Sequence, residues 1–227
     1  MGRAGGRWLV EARTEGRTVR IEADAVLAAL GRAPRTEALG EVALAAGGFV
    51  AVDETLATSL PGVYAAGDLI GPPLYVYAAA YEGGLAAENA LGTSPQVRDY
   101  TALPWVVFTD PQVAGVGLDE AGARAAGIDV EVSRLPLDQV PRALAARDTR
   151  GFVKLLRARG EDRLLGARIV APEGGEQIVP ASLLIRFGLS IRAVARHFHP
   201  YLTQGEALKL ALLGFEKDLA RLSCCAQ

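Results

Sequence analysis

No stretch of this 227-residue chain approaches the roughly 20 consecutive apolar residues that a membrane-spanning helix requires, so the sequence predicts none. Neither charge sign is in excess. The 24 Lys and Arg against 26 Asp and Glu leave a formal charge of -2, with no basic field for nucleic acid and no acidic tail. The start, Met1-Gly2-Arg3-Ala4-Gly5-Gly6, has no apolar run of the signal-peptide kind, and Gly6 stands where a myristoylation signal needs Ser or Thr. Internal repeats and low-complexity segments are absent too. Together these absences make a cytoplasmic globular protein the expectation, without nucleic-acid or membrane partners.

Cysteine is nearly absent as well: Cys224 and Cys225 are the only two, adjacent and two residues from the C-terminal Gln227. A disulfide between neighbours closes a very small ring, strains the intervening peptide and removes almost no loop entropy, so the pair is not a structural staple. Two thiolates on one short tether can instead grip a single soft cation together, which makes a metal-capturing tail one reading. Two plainer readings stay open here. The cysteines could have no role, or residues 224–227 could form a prenylation box, which the mixed charge of Glu216-Lys217-Asp218-Leu219-Ala220-Arg221 disfavours.

What is present is ample core material, since half of the residues are hydrophobic, enough for one large or two ordinary domains. Short strands are predicted over 8–12 and 18–21, joined by a turn at Glu15-Gly16-Arg17. The continuous apolar run 25–30 predicts a strand buried on both faces, broken at Gly31-Arg32-Ala33-Pro34. Further strands are expected over 48–53 and 62–66, then an Ala-rich helix over 76–91 with Gly92 as its stop. Gly92-Thr93-Ser94-Pro95 marks a domain boundary. Beyond it, strands are expected over 105–109, 113–116, 130–137, 151–157 and 164–171, and helices over 119–126, 175–187, 191–196 and 203–222. Strands grouped ahead of helices indicate an α+β domain with an antiparallel sheet, here following a partial α/β segment.

The run Thr58-Ser59-Leu60-Pro61-Gly62-Val63-Tyr64-Ala65-Ala66-Gly67-Asp68 delivers a carboxylate at the end of an apolar strand, where α/β sheets bind ligands. Gly67 lets backbone and ligand approach closely, and an ionised Asp68 can accept hydrogen bonds from a sugar-like hydroxyl. With Ala29-Leu30-Gly31-Arg32-Ala33-Pro34 upstream, this run resembles the second flavin fingerprint and companion motif of the pyridine nucleotide-disulfide oxidoreductases. Residues 104–117, PWVVFTDPQVAGVG, resemble the opening of that family's dimerisation domain. Residues 137–144, LDQVPRAL, and 148–155, DTRGFVKL, are similar to its mercuric reductase branch.

The resemblance implies FAD and NADPH as cofactors, Hg(II) as substrate and a homodimer formed through residues 99–227. It implies that residues 1–32 end a nicotinamide-binding domain and that 33–98 are the returning part of a flavin domain. Asp68 would meet the ribityl chain beside Gly67, and Val76 would offer a backbone amide near the flavin ring at a helix N-terminus, which attracts electron-rich atoms. His199, in His199-Pro200-Tyr201-Leu202-Thr203, matches an acid-base histidine that acts across the two-fold. Gln204 stands where the family has an orienting carboxylate, and a neutral amide stabilises an imidazolium less. Tyr201 would lie close to bound metal, and Cys224 and Cys225 would pass Hg(II) to buried thiols of the partner.

Three elements of a complete reductase have no counterpart here: the Gly-x-Gly-x-x-Gly loop for FAD, the Cys-x4-Cys redox pair and the second glycine loop for NADPH. The expectation is therefore a C-terminal half. Its rivals are a dihydrolipoamide dehydrogenase-like disulfide reductase, which His199 favours, and a non-catalytic, dimerising metal-binding fragment. His197 reads as a solvated loop histidine, and Thr203-x-x-Glu206 as a capping box for the last helix.

Overall fold

The computed structural model describes residues 2–218, which fall into two compact units, Met1–Val97 and Arg98–Gln227. Cys224 and Cys225 lie outside the described residues. Among the described residues, no helix is long and apolar enough to cross a membrane.

The first unit opens with a three-stranded antiparallel sheet: β1 (Gly2–Ala4), β2 (Arg7–Thr14) and β3 (Arg17–Ala23), in that order. Both connections are two-residue turns, Gly5-Gly6 and Glu15-Gly16, with positive φ at each central residue. That conformation matches the twist of paired strands, which is why the second hairpin sits where its turn sequence places it. β1 escaped the sequence reading because Gly-Arg-Ala carries no alternation.

The apolar run 25–30 is not a strand. It is solvent-exposed, with Leu27 at 92% and Leu30 at 93%. A strand buried on both faces needs hydrogen-bonded neighbours, and none of the described residues pairs with this one. The strands expected over 48–53 and 62–66 shrink to single bridges, Leu44 with Val50 and Ala57 with Tyr64, for the same reason. Helix α1 (Val76–Leu91) does form over the predicted residues, and Gly92 N–H closes its last turn on the Glu88 carbonyl at 2.7 Å. A small core of Leu56, Leu85 and Ala86, flanked by Val52, Tyr64, Ala66 and Ile70, packs α1 against the chain that precedes it. Asn89 secures the end of α1 by donating to the Thr55 and Gln96 carbonyls, 2.8 Å each.

The second unit is an α+β domain. Its strands β4 (Trp105–Val107), β5 (Gln112–Gly117), β6 (Val130–Pro136), β7 (Phe152–Ala158) and β8 (Leu164–Ala171) form one antiparallel sheet in the order β4-β5-β8-β7-β6. Between and after them come α2 (Glu120–Ala125), α3 (Pro141–Ala146), α4 (Gly174–Arg186), α5 (Ile191–Ala195) and α6 (Glu206–Leu213). The main core lies between sheet and helices and includes Val116, Leu135, Leu155, Ile169, Ile178 and Leu212. Asp119 caps α2 by accepting the Gly122 N–H at 2.8 Å. α3 was read as a loop, yet Pro141 at its first turn lacks only an N–H that a helix start leaves unpaired anyway.

Two expectations about the last helix fail. It ends at Leu213, with Gly214 as its cap, rather than running to 222. The capping box is not made either: the N-cap is Gly205, the Thr203 hydroxyl donates to the Pro200 carbonyl at 2.8 Å, and the Glu206 carboxylate accepts the N–H of Leu202, at 3.2 Å. The left-handed backbone of Leu202 places its amide, not that of Thr203, within reach. The Ser133 hydroxyl donates to the Ala211 carbonyl at 2.6 Å in the core, holding α6 to β6.

Exposed ion pairs decorate this unit, and one sets an acid limit. The Arg150 guanidinium donates to both carboxylate oxygens of Asp148, at 2.9 and 2.8 Å, and holds its pKa down to about 2. A depressed carboxylate contributes stability that is present above its ordinary pKa and lost as pH falls through the folded value. Melting temperature should therefore fall as pH drops from about 4 toward 2, and Asp148→Asn should flatten that slope slightly, as befits an exposed pair. A variant melting curve with the wild-type slope would remove Asp148 from the account.

Candidate functional site

Gly67 and Asp68 form the start of a 3-10 turn that runs to Ile70, ahead of α1. Gly67 has φ +75, and a Cβ there would lie 3.1 Å from the Ala79 Cβ, so the turn sits directly against the second turn of α1. The Gly67 N–H donates to the Glu82 carboxylate at 2.6 Å, and Glu82 is fully buried. A charged acceptor inside the unit is costly unless it is hydrogen-bonded, so this bond both satisfies Glu82 and pins the turn.

Asp68 remains 38% exposed at its side chain and accepts from Arg32 at 2.6 Å. The two motifs that the sequence reading singled out, 36 residues apart, thus meet through their charged side chains. The pairing of Arg32 and the pinning by Glu82 were both missed. Charge complementarity between the motifs could have suggested the first; nothing local signals the second, which depends on how α1 packs. No side chain caps the N-terminus of α1, and Val76, its first residue, is 87% exposed. That combination leaves an open carboxylate acceptor and an amide-bearing helix end on one short segment. Tyr75 and Tyr77 stack at this end, rings 5.3 Å apart, and burial, then the charge of Tyr75, raises the Tyr77 pKa.

The second candidate site is the 199–205 loop of the other unit. His199 Nε2–H donates to the Val194 carbonyl at 3.0 Å, an arrangement that assigns the neutral ring its Nε2 proton. Gln204 does not orient this ring: its Oε1 is buried and has no hydrogen-bond partner. Tyr201 lies on the same loop and is 57% exposed. A cavity of about 840 Å³ opens between this loop, the N-terminal turns of α4 and the end of α3, with His199, Gln204, Gln177 and Glu176 among its walls. His197 is exposed, its ring centroid 6.5 Å from that of His199 in an edge-on arrangement, and no metal-holding group of three His, Cys, Asp or Glu exists among the described residues.

The segment leading toward the tail is held firmly. The Arg157 guanidinium lies 4.7 Å over the Phe215 ring, donates to the Phe215 carbonyl at 3.4 Å and pairs with Glu131 at 2.7 Å. Arg157 is only 11% exposed at its side chain, so this clamp is largely shielded from solvent.

Residues 4–83 match the family model described as pyridine nucleotide-disulphide oxidoreductase, and residues 103–212 match the dimerisation domain of the same family. The chain belongs to this family. Mercuric reductases from Staphylococcus aureus and Streptomyces lividans are each 48% identical to it over 91% of its length, which is 38% and 44% of theirs. Among solved structures, LpdA from Mycobacterium tuberculosis superposes with a TM-score of 0.85 at 29% identity, over 95% of this chain and 47% of that one. The Cu(II) complex of the HOCl-induced flavoprotein disulfide reductase RclA from Escherichia coli gives 0.81 at 26% identity, over 93% and 48%. The chain therefore spans about two fifths of these reductases and half of these solved chains. FAD and NADPH are the cofactors that membership in the oxidoreductase family implies.

Proposed function

We propose that the chain supplies the flavin-facing turn, the dimerisation domain and the metal-collecting tail of an FAD-dependent, NADPH-using reductase of Hg(II). In this reading residues 1–32 close the nicotinamide domain, 33–98 complete the flavin domain and 99–227 pair with a second copy. The single observation that carries it is the 48% identity to mercuric reductases across 91% of the chain. The adjacent thiols add a chemical reason for the metal.

The residues of the first unit suit FAD. Asp68 presents a half-exposed carboxylate able to accept from ribityl hydroxyls, Gly67 removes the side chain that would stand in the way, and the uncapped start of α1 at Val76 offers N–H groups toward an electron-rich ring edge. Bound there, FAD supplies two-electron transfer from NADPH. The residues of this chain hold the ribityl chain, orient the ring and keep Asp68 in place through Arg32. Hydrogen bonds to a charged group contribute about 1.5–3 kcal/mol, so Asp68→Ala should weaken FAD binding at least tenfold in a flavin fluorescence titration. Equal affinity for both proteins would take Asp68 out of the flavin site.

In the second unit, Cys224 and Cys225 take Hg(II) as thiolates and Tyr201 stands at the delivery point. Six positions separate Asp218 from Cys224, a length that extended chain covers in at most about 20 Å. The Arg157 clamp on Phe215 therefore sets the radius within which the thiols can deliver their cargo.

The disulfide reductase reading is weaker on geometry, because the His199 ring is turned to the Val194 carbonyl and Gln204 gives it no support. Purified chain, loaded with FAD, separates the readings. NADPH oxidation driven by Hg(II) supports the proposal, oxidation driven by a lipoyl disulfide supports the rival, and Hg(II) binding without either leaves a metal-binding module.

A further inference from the structure

The cavity beside His199 contains an unresolved demand for hydrogen-bond donors. Two buried side-chain oxygens among its walls, Gln177 Oε1 and Gln204 Oε1, have no partner. Gln177 is only 6% exposed, and its amide N–H₂ is already committed to the Pro172 carbonyl at 2.8 Å, so its oxygen is the group left over. A buried acceptor without a donor is destabilising, and native proteins rarely keep two in one place unless something completes them.

Three further observations describe what that something is. The ionisable lining is mostly acidic: Asp148, Glu173 and Glu176 against Arg142, with His199 beside them. Two non-glycine residues of the lining, Glu173 at φ +54 and Leu202 at φ +58, are held in the left-handed region, so opposite walls carry backbone strain that a different packing would relieve. The same elements expose apolar side chains: Val179 and Leu183 on α4, Tyr201 and Leu202 on the loop. Acceptors and carboxylates within, apolar surface alongside, describe a socket for a cationic donor carried on a protein.

We infer that the cavity is half of a composite site, completed by an ammonium or guanidinium group from a second copy of this chain. Every lining residue falls within residues 103–212, which match the dimerisation domain, so the socket belongs to a module built for self-association. The inference rests on the dimer proposed above and adds which atoms the partner must satisfy. Both oxygens are shut off from solvent, but the terminal torsion of a glutamine is soft, and turning either amide brings its oxygen to the incoming donor.

Sedimentation of the full chain tests this through Gln204→Met, which keeps the bulk and removes the acceptor, and Gln204→Glu, which strengthens it. The expected result is a dimer dissociation constant about tenfold higher for Q204M, and unchanged or lower for Q204E, with the Q204E dimer loosened more steeply by salt. The isolated Q204M subunit should be no less heat-stable than wild type, since it loses an unsatisfied group. Wild-type affinity in both variants would overturn the inference while leaving the dimer intact. A wild-type chain that stays monomeric would overturn the dimer as well. Protection of the cavity by methylguanidinium with no change in dimer affinity would assign the socket to a small cation and overturn the second copy.

Discussion

Replacing both Cys224 and Cys225 by alanine should reduce Hg(II) binding by several orders of magnitude. They are the only cysteines among the 227 residues, and the one other sulfur belongs to Met1, so the double variant has no thiolate at all. Oxygen and nitrogen ligands do not replace thiolate for so soft an ion. Either single variant should fall between, weaker than wild type by on the order of a thousandfold, because the second thiolate is presented at the high effective concentration of a short tether. Titration with Hg(II) against a competing small dithiol, with the metal followed by the thiolate absorbance, gives these affinities directly. If the double variant competes as well as wild type, the tail is not the collecting group, and His199, Tyr201 and the cavity become the place to look.

The second large effect is structural. Gly166 to alanine should cost more than about 4 kcal/mol, which is the scale of a steric conflict that neither partner can relieve. A Cβ at this position overlaps the Leu118 carbonyl oxygen and lies 2.8 Å from its carbon and 3.0 Å from the Leu118 nitrogen, all backbone atoms. Gly166 sits on β8, second-neighbour to both sheet edges, where it pairs with Gly117 of β5 and Leu156 of β7. Moving Leu118 would also break its own N–H bond to the Leu165 carbonyl at 2.9 Å. In a unit of this size the loss corresponds to a melting temperature lower by roughly 15 °C or more. Gly160→Ala is the control: it has φ +77 but open space around its Cβ, so only backbone strain of about 1–2 kcal/mol applies. Circular dichroism melts within a few degrees of each other for the two variants would remove the steric account of Gly166.

The second unit was largely legible from local sequence. Its strands alternate or run apolar between clear breakers, Asp119 announces α2, and every strand has its pairing partner within the same unit. The first unit was legible only where structure closes locally. The β2–β3 hairpin carries its own turn, and α1 its own backbone bonds, so both form over the predicted residues. The run 25–30 reads as a strand just as strongly, but strand formation is decided by neighbours, and the described residues contain none for it. The last helix was overestimated because apolar spacing continues past Leu213, whereas Gly214 and the turn after it end the helical bonding.

The candidate residues divide along the same line. Sequence alone was sufficient to name Gly67, Asp68, Val76, His199, Tyr201 and the cysteine pair, and to assign the family, because those positions are read as chemical types in a fixed order. Three relationships came only from the fold: Arg32 on Asp68, buried Glu82 under Gly67, and the His199 ring bonded to Val194 rather than to Gln204. Each joins side chains whose approach depends on how a helix or loop packs, a long-range property that no local motif encodes. The two unpartnered glutamine oxygens belong to this class as well, since an amide is ordinary in sequence and becomes informative only when packing closes water out and provides no donor.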